Sequence, residues 1–249
     1  MLKIMITRPK DKSSELAHSL KATGNLAISA PLIRIEHLEL VPKDLKQFLD
    51  WSDIIIFTSQ NTVLPTINKI NDIRIFDEKK IFAIGNKTRE CLLAKNLTQV
   101  IVPEYLSSTE GLLALNELSK FHITNKNILI IKGHGGRKKL GYHLLKRGAN
   151  LKYINSYLRK ETNISISRVL KARDLAAPDV IIITSGSILL ALVKKIKSEN
   201  LNNLFFTPLI VVSHRLAKIA RKLGFMGFIH IAANANDQSI IDSIKYWDR

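Results

Sequence analysis

Cysteine is nearly absent. Cys91 is the only one in 249 residues, which excludes an intramolecular disulfide and suits a reducing cytoplasm. Long apolar runs are missing too: no uninterrupted stretch approaches the ~20 residues that cross a bilayer. The opening Met1–Ile6 run stops at Thr7-Arg8-Pro9, the pattern of a strand rather than a signal peptide. Aromatics make up only 6% and are not interleaved with basic residues, as base-stacking surfaces require. Acidic residues are scarce, 21 against 38 lysines and arginines, leaving a net charge of +17. That surplus favours a polyanionic partner (nucleic acid, a membrane surface or a multiply charged small molecule) without naming it. The seven histidines are scattered, with no pair at i, i+4, so metal-ligand spacing is lacking. Gly-x-Ser-x-Gly, the P-loop and a Gly-x-Gly-x-x-Gly after the first strand are all absent.

What is present is a repeat. Val180-Ile181-Ile182-Ile183-Thr184-Ser185 restates Asp53-Ile54-Ile55-Ile56-Phe57-Thr58-Ser59, an apolar run ending in Thr-Ser before an amphipathic segment. Thr58 to Gly85 spans 27 positions and Thr184 to Ser213 spans 29; Gly85 to Glu110 and Ser213 to Gln238 both span 25. Thr7 to Thr58 is 51 positions and Lys132 to Thr184 is 52. A chain of two similar α/β halves is expected to place its site in the cleft between them.

Short Ile/Val-rich runs predict strands at 2–6, 54–57, 81–84, 100–102, 128–131, 180–183, 209–212 and 228–232. Helical periodicity predicts helices at 14–21, 62–69, 87–95, 109–118, 138–147, 187–197, 215–223 and 238–246. Near-continuous apolar strands alternating with helices imply doubly wound α/β domains with parallel sheets covered on both faces. Gly24, Gly148, Gly224 and Asn96 stand where a helix ends in a left-handed residue. Ser107 followed by Glu110 reads as a capping box, the Ser107 hydroxyl taking the N–H three residues on.

No Gly/Ser-rich or Pro-rich linker divides the halves. Instead, segments near 31–37 and 152–160 read as extended strands that end a unit. The expected organisation is therefore an inserted α/β domain over 38–155 within a discontinuous one made of 1–33 plus 162–249, joined by a two-strand linker. The segment 161–177 reads as an amphipathic surface helix.

The candidate chemistry lies at the carboxyl ends of strands, where doubly wound sheets bind ligands. There stand Thr7, Arg8, Thr58, Ser59, Gly85, Lys132, Gly133, Thr184, Ser185 and Ser213, with Asn61, Thr88 and Ser108 just past strand ends. Hydroxyls backed by helix N-terminal N–H groups bind carboxylates. Each hydroxyl also suits an N-cap. Gly133-His134-Gly135-Gly136-Arg137 is glycine-rich before a helix and fits either an anion cradle or a tight turn.

Taken together, these residues resemble the uroporphyrinogen-III synthase family. The carrying features are Ile6-Thr7-Arg8-Pro9, Phe57-Thr58-Ser59-Gln60-Asn61-Thr62-Val63, Ala83-Ile84-Gly85 with Thr88, and Ser108-Thr109-Glu110-Gly111-Leu112-Leu113. They continue through Lys132-Gly133 to Gly136-Arg137 and Leu140, then Tyr157 with Arg159, and Ile183-Thr184-Ser185. Departures fall mainly in the second half: Ser213 where glycine is common, Leu216 where threonine is common, and a loose match over 233–237. Lys132 replaces the usual arginine, keeping the charge but not the bidentate geometry.

The resemblance implies two α/β domains joined by a two-strand ladder. It implies cyclisation of hydroxymethylbilane to uroporphyrinogen III with inversion of ring D and loss of water through a spiro intermediate, in haem biosynthesis. It implies no metal or organic cofactor, and it puts Tyr157 where the family has a tyrosine suited to assist the departing hydroxyl. The partner expected is the acidic tetrapyrrole itself, with transient hand-over from the preceding enzyme allowed for. No nucleic acid and no membrane is expected, and the protein is expected to be a monomer. Two other readings of the residues stand beside the enzyme: a non-catalytic two-domain binding protein or sensor that closes on an anionic metabolite, using the same expected cleft and hinge strands, and a nucleic-acid binder suggested by charge alone.

Overall fold

A computed structural model describes residues 1–136 and 138–245. Arg137 and the last residue of the predicted helix 238–246 therefore lie outside the described residues. In chain order the elements begin β1 (Lys3–Ile6), α1 (Lys10–Ala22), β2 (Leu26–Ser29), β3 (Ile33–His37), α2 (Pro42–Trp51), β4 (Ile54–Phe57), α3 (Val63–Ile67) and β5 (Lys80–Ala83). They continue α4 (Asn86–Leu93), β6 (Val100–Ile101), α5 (Thr109–Ala114), α6 (Lys120–Ile123), β7 (Asn127–Gly133), α7 (Lys139–Lys146) and β8 (Asn150–Glu161). Last come α8 (Ile166–Lys171), β9 (Val180–Ile183), α9 (Gly186–Ser198), β10 (Leu209–Val211), α10 (His214–Lys222), β11 (Ile229–Ile231) and α11 (Asp237–Ile244).

The chain divides into two units, one of Met1–Arg34 with Lys160–Arg249 and the other of Ile35–Arg159. It passes from one to the other within β3 and back within β8, which are neighbours in one sheet.

The first unit holds a parallel sheet in the order β11-β10-β9-β1-β2. Strand alternation divides its apolar residues between two faces. Ile4, Ile6, Val180 and Ile182 pack with Leu16 and Leu20 of α1 and Ile240 of α11. Met5, Ile181 and Ile183 pack with Ile188 and Leu192 of α9 and Leu216 of α10. The second unit orders its strands β3-β8-β7-β4-β5-β6. Ile55 and Phe57 meet α2, α3 and α4 through Leu45, Val63 and Leu92. Ile54 and Ile56 meet α5 and α7 through Leu112 and Leu144. Helices on both faces explain why β4, β9 and β10 are apolar at every position.

Reversed from β8, the second sheet runs β6-β5-β4-β7-β8, which matches β11-β10-β9-β1-β2 strand for strand under the sequence repeat. A small device repeats with it. Asp53, just before β4, accepts from the backbone N–H of Asn127 at 2.8 Å, and Asp179, just before β9, accepts from that of Lys3 at 2.7 Å. Each carboxylate accepts from the first residue of the neighbouring strand, β7 or β1, whose carbonyl in turn accepts from the aspartate N–H.

Helix ends follow the expected chemistry. Gly24, Gly148, Gly224 and Asn96 all have left-handed backbone, with φ of 78°, 85°, 100° and 64°. Each ends its helix with paired 6→1 and 5→2 bonds, as Asn25 N–H to Leu20 O and Gly24 N–H to Lys21 O show for α1. Other expectations change. The capping serine of α5 is Ser108, whose Oγ accepts from Glu110 N and Gly111 N, while Glu110 turns away to Lys139. The surface helix expected over 161–177 shrinks to α8, because residue 161 still belongs to β8 and the chain turns left-handed at Asp174. The N-terminus of α8 is held by a distant carboxylate: Glu199 accepts from Ile166 N at 3.2 Å, Ser167 N at 2.8 Å and Ser165 Oγ at 3.0 Å. Burial opposes its charge, but these donors outweigh that and hold its pKa below the usual value. Helix α2 is not among the expected helices; it carries Pro42 in its first turn, where the missing N–H costs nothing.

Candidate functional site

In the second unit the candidate residues line the carboxyl edge of β8-β7-β4-β5. Both the backbone N–H and Oγ1 of Thr58 donate to the Ile131 carbonyl at 3.1 Å, which ties the end of β4 to β7. Ser59 opens a single 3-10 turn over Gln60–Thr62, and its Oγ accepts from Asn61 N at 3.2 Å. Thr58, Ser59 and Asn61 remain partly exposed. Gly85 begins α4 and is buried; a Cβ there would fall on the side chain of Ser107. Glycine is thus required by close approach of the loop that leads to Ser108. Thr88 is buried inside α4.

At the end of β7 the pairing with β8 slips. Lys132 pairs with Asn155, but Gly133 pairs with Tyr157, so Ser156 is an extra residue, a β-bulge. The bulge lays the Tyr157 ring on the α-carbon of Gly133: a Cβ at Gly133 would stand 2.5 Å from Tyr157 Cζ. Tyr157 is only 1% exposed. Its hydroxyl accepts from Arg159 Nη2 at 2.7 Å, and Arg159 Cζ stacks 5.1 Å from the ring centroid. The phenol expected to face a ligand is therefore enclosed, and the exposed member of the pair is Arg159. Lys132 is partly exposed, with Nζ 5.7 Å from the Tyr153 ring. Burial pushes the Tyr153 phenol above its usual pKa.

The glycine-rich turn after Gly133 has left-handed backbone at Gly135 and Gly136, φ 70° and 80°. Helix α7 behind it has no side-chain cap. Lys139 on α7 pairs with Glu110 on α5 at 2.9 Å, and this hydrogen-bonded ammonium, ahead of backbone donation, lowers the Glu110 pKa to about 2.

The first unit repeats the edge with different commitments. Thr7, after β1, is fully buried and donates from Oγ1 to the Ile182 carbonyl at 2.5 Å. Arg8 is 5% exposed and pairs with Asp237 at 2.6 Å. The sequence reading has both meeting a ligand; as placed, they lock β1 to β9 and to the start of α11. Thr184 and Ser185 follow β9, and Ser185 caps α9 by accepting from Ile188 N at 3.3 Å. Ser213 caps α10 by accepting from Leu216 N at 3.2 Å. All three stay partly exposed.

Elsewhere in the second unit, a groove of about 800 Å³ lies between α2 and residues 69–75, floored by Leu45, Leu49, Ile70 and Ile75; none of the expected site residues lines it. Among the described residues no His, Cys, Asp or Glu cluster could hold a metal ion, and no helix is long and apolar enough to cross a membrane.

Residues 14–242, nearly the whole chain, match the family model described as uroporphyrinogen-III synthase HemD. The chain belongs to the uroporphyrinogen-III synthase family. Membership makes it an enzyme, a cyclising lyase of haem biosynthesis. The uroporphyrinogen-III synthase of Escherichia coli K12 is 29% identical over 249 residues, covering 98% of this chain and 100% of that protein. The fold agrees with solved structures. A mutant uroporphyrinogen III synthase from the extremely thermophilic bacterium Thermus thermophilus superposes with a TM-score of 0.67 at 14% identity, covering 100% of this chain and 99% of that one. The uroporphyrinogen-III synthetase of Helicobacter pylori 26695 gives 0.61 at 17% identity, with 100% of both chains covered.

Three residues of this synthase-family chain gain roles that the sequence reading does not assign. Asp237 is the counter-charge of Arg8, Arg159 is the partner of Tyr157, and Glu199 accepts from the first N–H groups of α8, beside its cap Ser165. Arg159 has a local signal, two positions from Tyr157 on an extended segment and hence on the same face. Asp237, 229 positions from Arg8, has none.

Proposed function

We propose that this chain converts hydroxymethylbilane to uroporphyrinogen III with the polar carboxyl edges of its sheets as the substrate contacts. The family match over both halves carries this reading. The partly exposed Thr58, Ser59, Asn61, Ser108, Lys132, Thr184, Ser185 and Ser213 would bind carboxylates through hydroxyls, helix N-terminal N–H groups and the lysine cation. The net charge of +17 draws a multiply anionic substrate to them. Thr7, Arg8, Gly85, Thr88 and Gly133, being buried, would hold the edges in shape.

The reaction begins with loss of the terminal hydroxyl to give an azafulvene cation. The substituted carbon of ring D attacks it, and the spiro intermediate fragments and recloses with that ring inverted. Holding the chain in the conformer that recloses inverted is the protein's main entropic contribution. The Tyr157–Arg159 pair, its guanidinium outermost, would help hold the substrate in place while the hydroxyl departs. The single cysteine fits cytoplasmic tetrapyrrole synthesis, and substrate passed over by the preceding enzyme would be shielded from spontaneous closure.

The test is to generate hydroxymethylbilane in situ, add the chain, oxidise the products and separate the isomers. Predominance of isomer III is expected. Isomer I alone, the spontaneous product, from folded protein would overturn the reading and leave a binding protein.

A further inference from the structure

We infer that Arg159 is a substrate-carboxylate contact and that Tyr157 is its positioning residue rather than a group that touches the reacting atoms. This rests on the synthase reading above and divides the labour within the Tyr157–Arg159 pair.

Four observations lead to it. The phenol is 1% exposed, so a ligand does not reach it as the chain is folded. Its oxygen already accepts a hydrogen bond, from Arg159 Nη2 at 2.7 Å. The guanidinium stacks on the same ring, with Cζ 5.1 Å from the centroid. Arg159 itself is exposed, and among the described residues this is the only hydrogen bond of its side chain. Tyr157 thus engages one Nη of the cation and lies beneath it, and the remaining N–H groups are open to a ligand.

The surroundings show that the arrangement is built. An arginine on a strand surface ordinarily samples many rotamers, and ordering it on binding costs free energy. Here the guanidinium is pre-ordered, because the ring it leans on is buried and packed against Gly133. Ser156 bulges out of the β7–β8 pairing, which brings Tyr157 rather than Ser156 into register with Gly133. Gly133 offers the α-carbon surface on which the ring lies, since any Cβ would overlap it. The Ser156 carbonyl is tied to Leu38 N at 3.0 Å and the Tyr157 carbonyl to His134 N at 2.7 Å, so the bulge is held from both sides. A one-residue change of register would turn Tyr157 and Arg159 to the other face of the sheet. The bulge therefore decides where the guanidinium points. A planar cation with several fixed N–H donors is the side chain suited to recognise a carboxylate, and the substrate's edge is lined with carboxylates.

The experiment compares the full chain with Arg159→Met, Arg159→Lys and Tyr157→Phe, measuring kcat, KM and the fraction of isomer III, with circular dichroism to verify folding. Tyr157→Phe keeps the ring that packs on Gly133, and Arg159 is exposed, so all three are expected to fold. Arg159→Met is expected to raise KM about 10- to 100-fold with kcat within about twofold, the loss of one charge-assisted contact. Arg159→Lys should recover part of that loss. Tyr157→Phe should raise KM about 3- to 10-fold and still give isomer III at saturating substrate. Unchanged KM in Arg159→Met would overturn the inference. So would a collapse of kcat at constant KM in Tyr157→Phe, which would mean that the phenol itself touches the leaving hydroxyl. Wild-type protein that yields only isomer I would instead sink the synthase reading, before any variant is compared.

Discussion

The ring of Tyr157 lies on the α-carbon of Gly133, with no room between them for a methyl group. In Gly133→Ala the new Cβ would meet Cζ at 2.5 Å, Cε2 at 2.7 Å and the hydroxyl at 2.8 Å. The ring must shift or the bulge must open. Overpacking of this kind costs about 1–3 kcal/mol. Urea unfolding should show that loss, and the displaced ring should weaken catalysis beyond what the fall in stability explains.

Arg8 and Asp237 form a partly buried pair in the first unit, with side chains 6% and 25% exposed. Removing one partner strands the other charge. Asp237→Ala, which leaves the buried Arg8 charge without its partner, is expected to destabilise the protein by about 2–3 kcal/mol, whereas Arg8→Met combined with Asp237→Leu should cost less than the single change. Thermal or urea unfolding of the two variants checks the order.

Ser185 and Ser213 are both caps and proposed substrate contacts, and two substitutions separate these roles. Alanine removes the cap and should cost about 1 kcal/mol at either site, while glycine should cost only a few tenths. Both remove the hydroxyl. If the hydroxyls bind substrate, KM rises equally in the alanine and glycine variants while stability falls mainly in alanine. If they only cap, KM stays at the wild-type value in both.

Glu110 has a pKa lowered from 4.5 to about 2 by Lys139 and by backbone donation. A depressed carboxylate stabilises the fold above its unfolded pKa and loses that contribution as pH falls through the folded value. The stability advantage of wild type over Glu110→Gln should therefore be full at about pH 5 and above and vanish between about 4.5 and 2. Both partners are more than a third exposed, so its size after solvent screening is about 1 kcal/mol or less. Unfolding of wild type and Glu110→Gln across that range measures it.

Much of the fold can be read from local pattern. The β4 and β9 strands fall where the apolar runs 54–57 and 180–183 stand, since a strand covered on both faces is apolar at every position. The left-handed ends at Gly24, Asn96, Gly148 and Gly224 are visible because few residues tolerate that backbone. Helix α6 escapes the sequence reading because its four residues carry too little periodicity. Choosing Ser107 over Ser108 as a cap is a one-residue error, of the size that local rules do not resolve.

The period of each element, the doubled order of strands and the polar residue types at the carboxyl edges are all legible along the chain, because they depend on neighbours within a few positions and on a repeat that can be counted. Which of those groups are used inside the protein depends on long-range contacts. Thr7 donates to Ile182, Arg8 turns to Asp237, and Tyr157 is folded onto Gly133 by an extra Ser156, leaving Arg159 outermost. Each of those outcomes depends on a partner brought close by strand pairing or sheet order. A hydroxyl or guanidinium carries no mark in sequence that says whether its donor will meet a buried carbonyl, a carboxylate or a ligand.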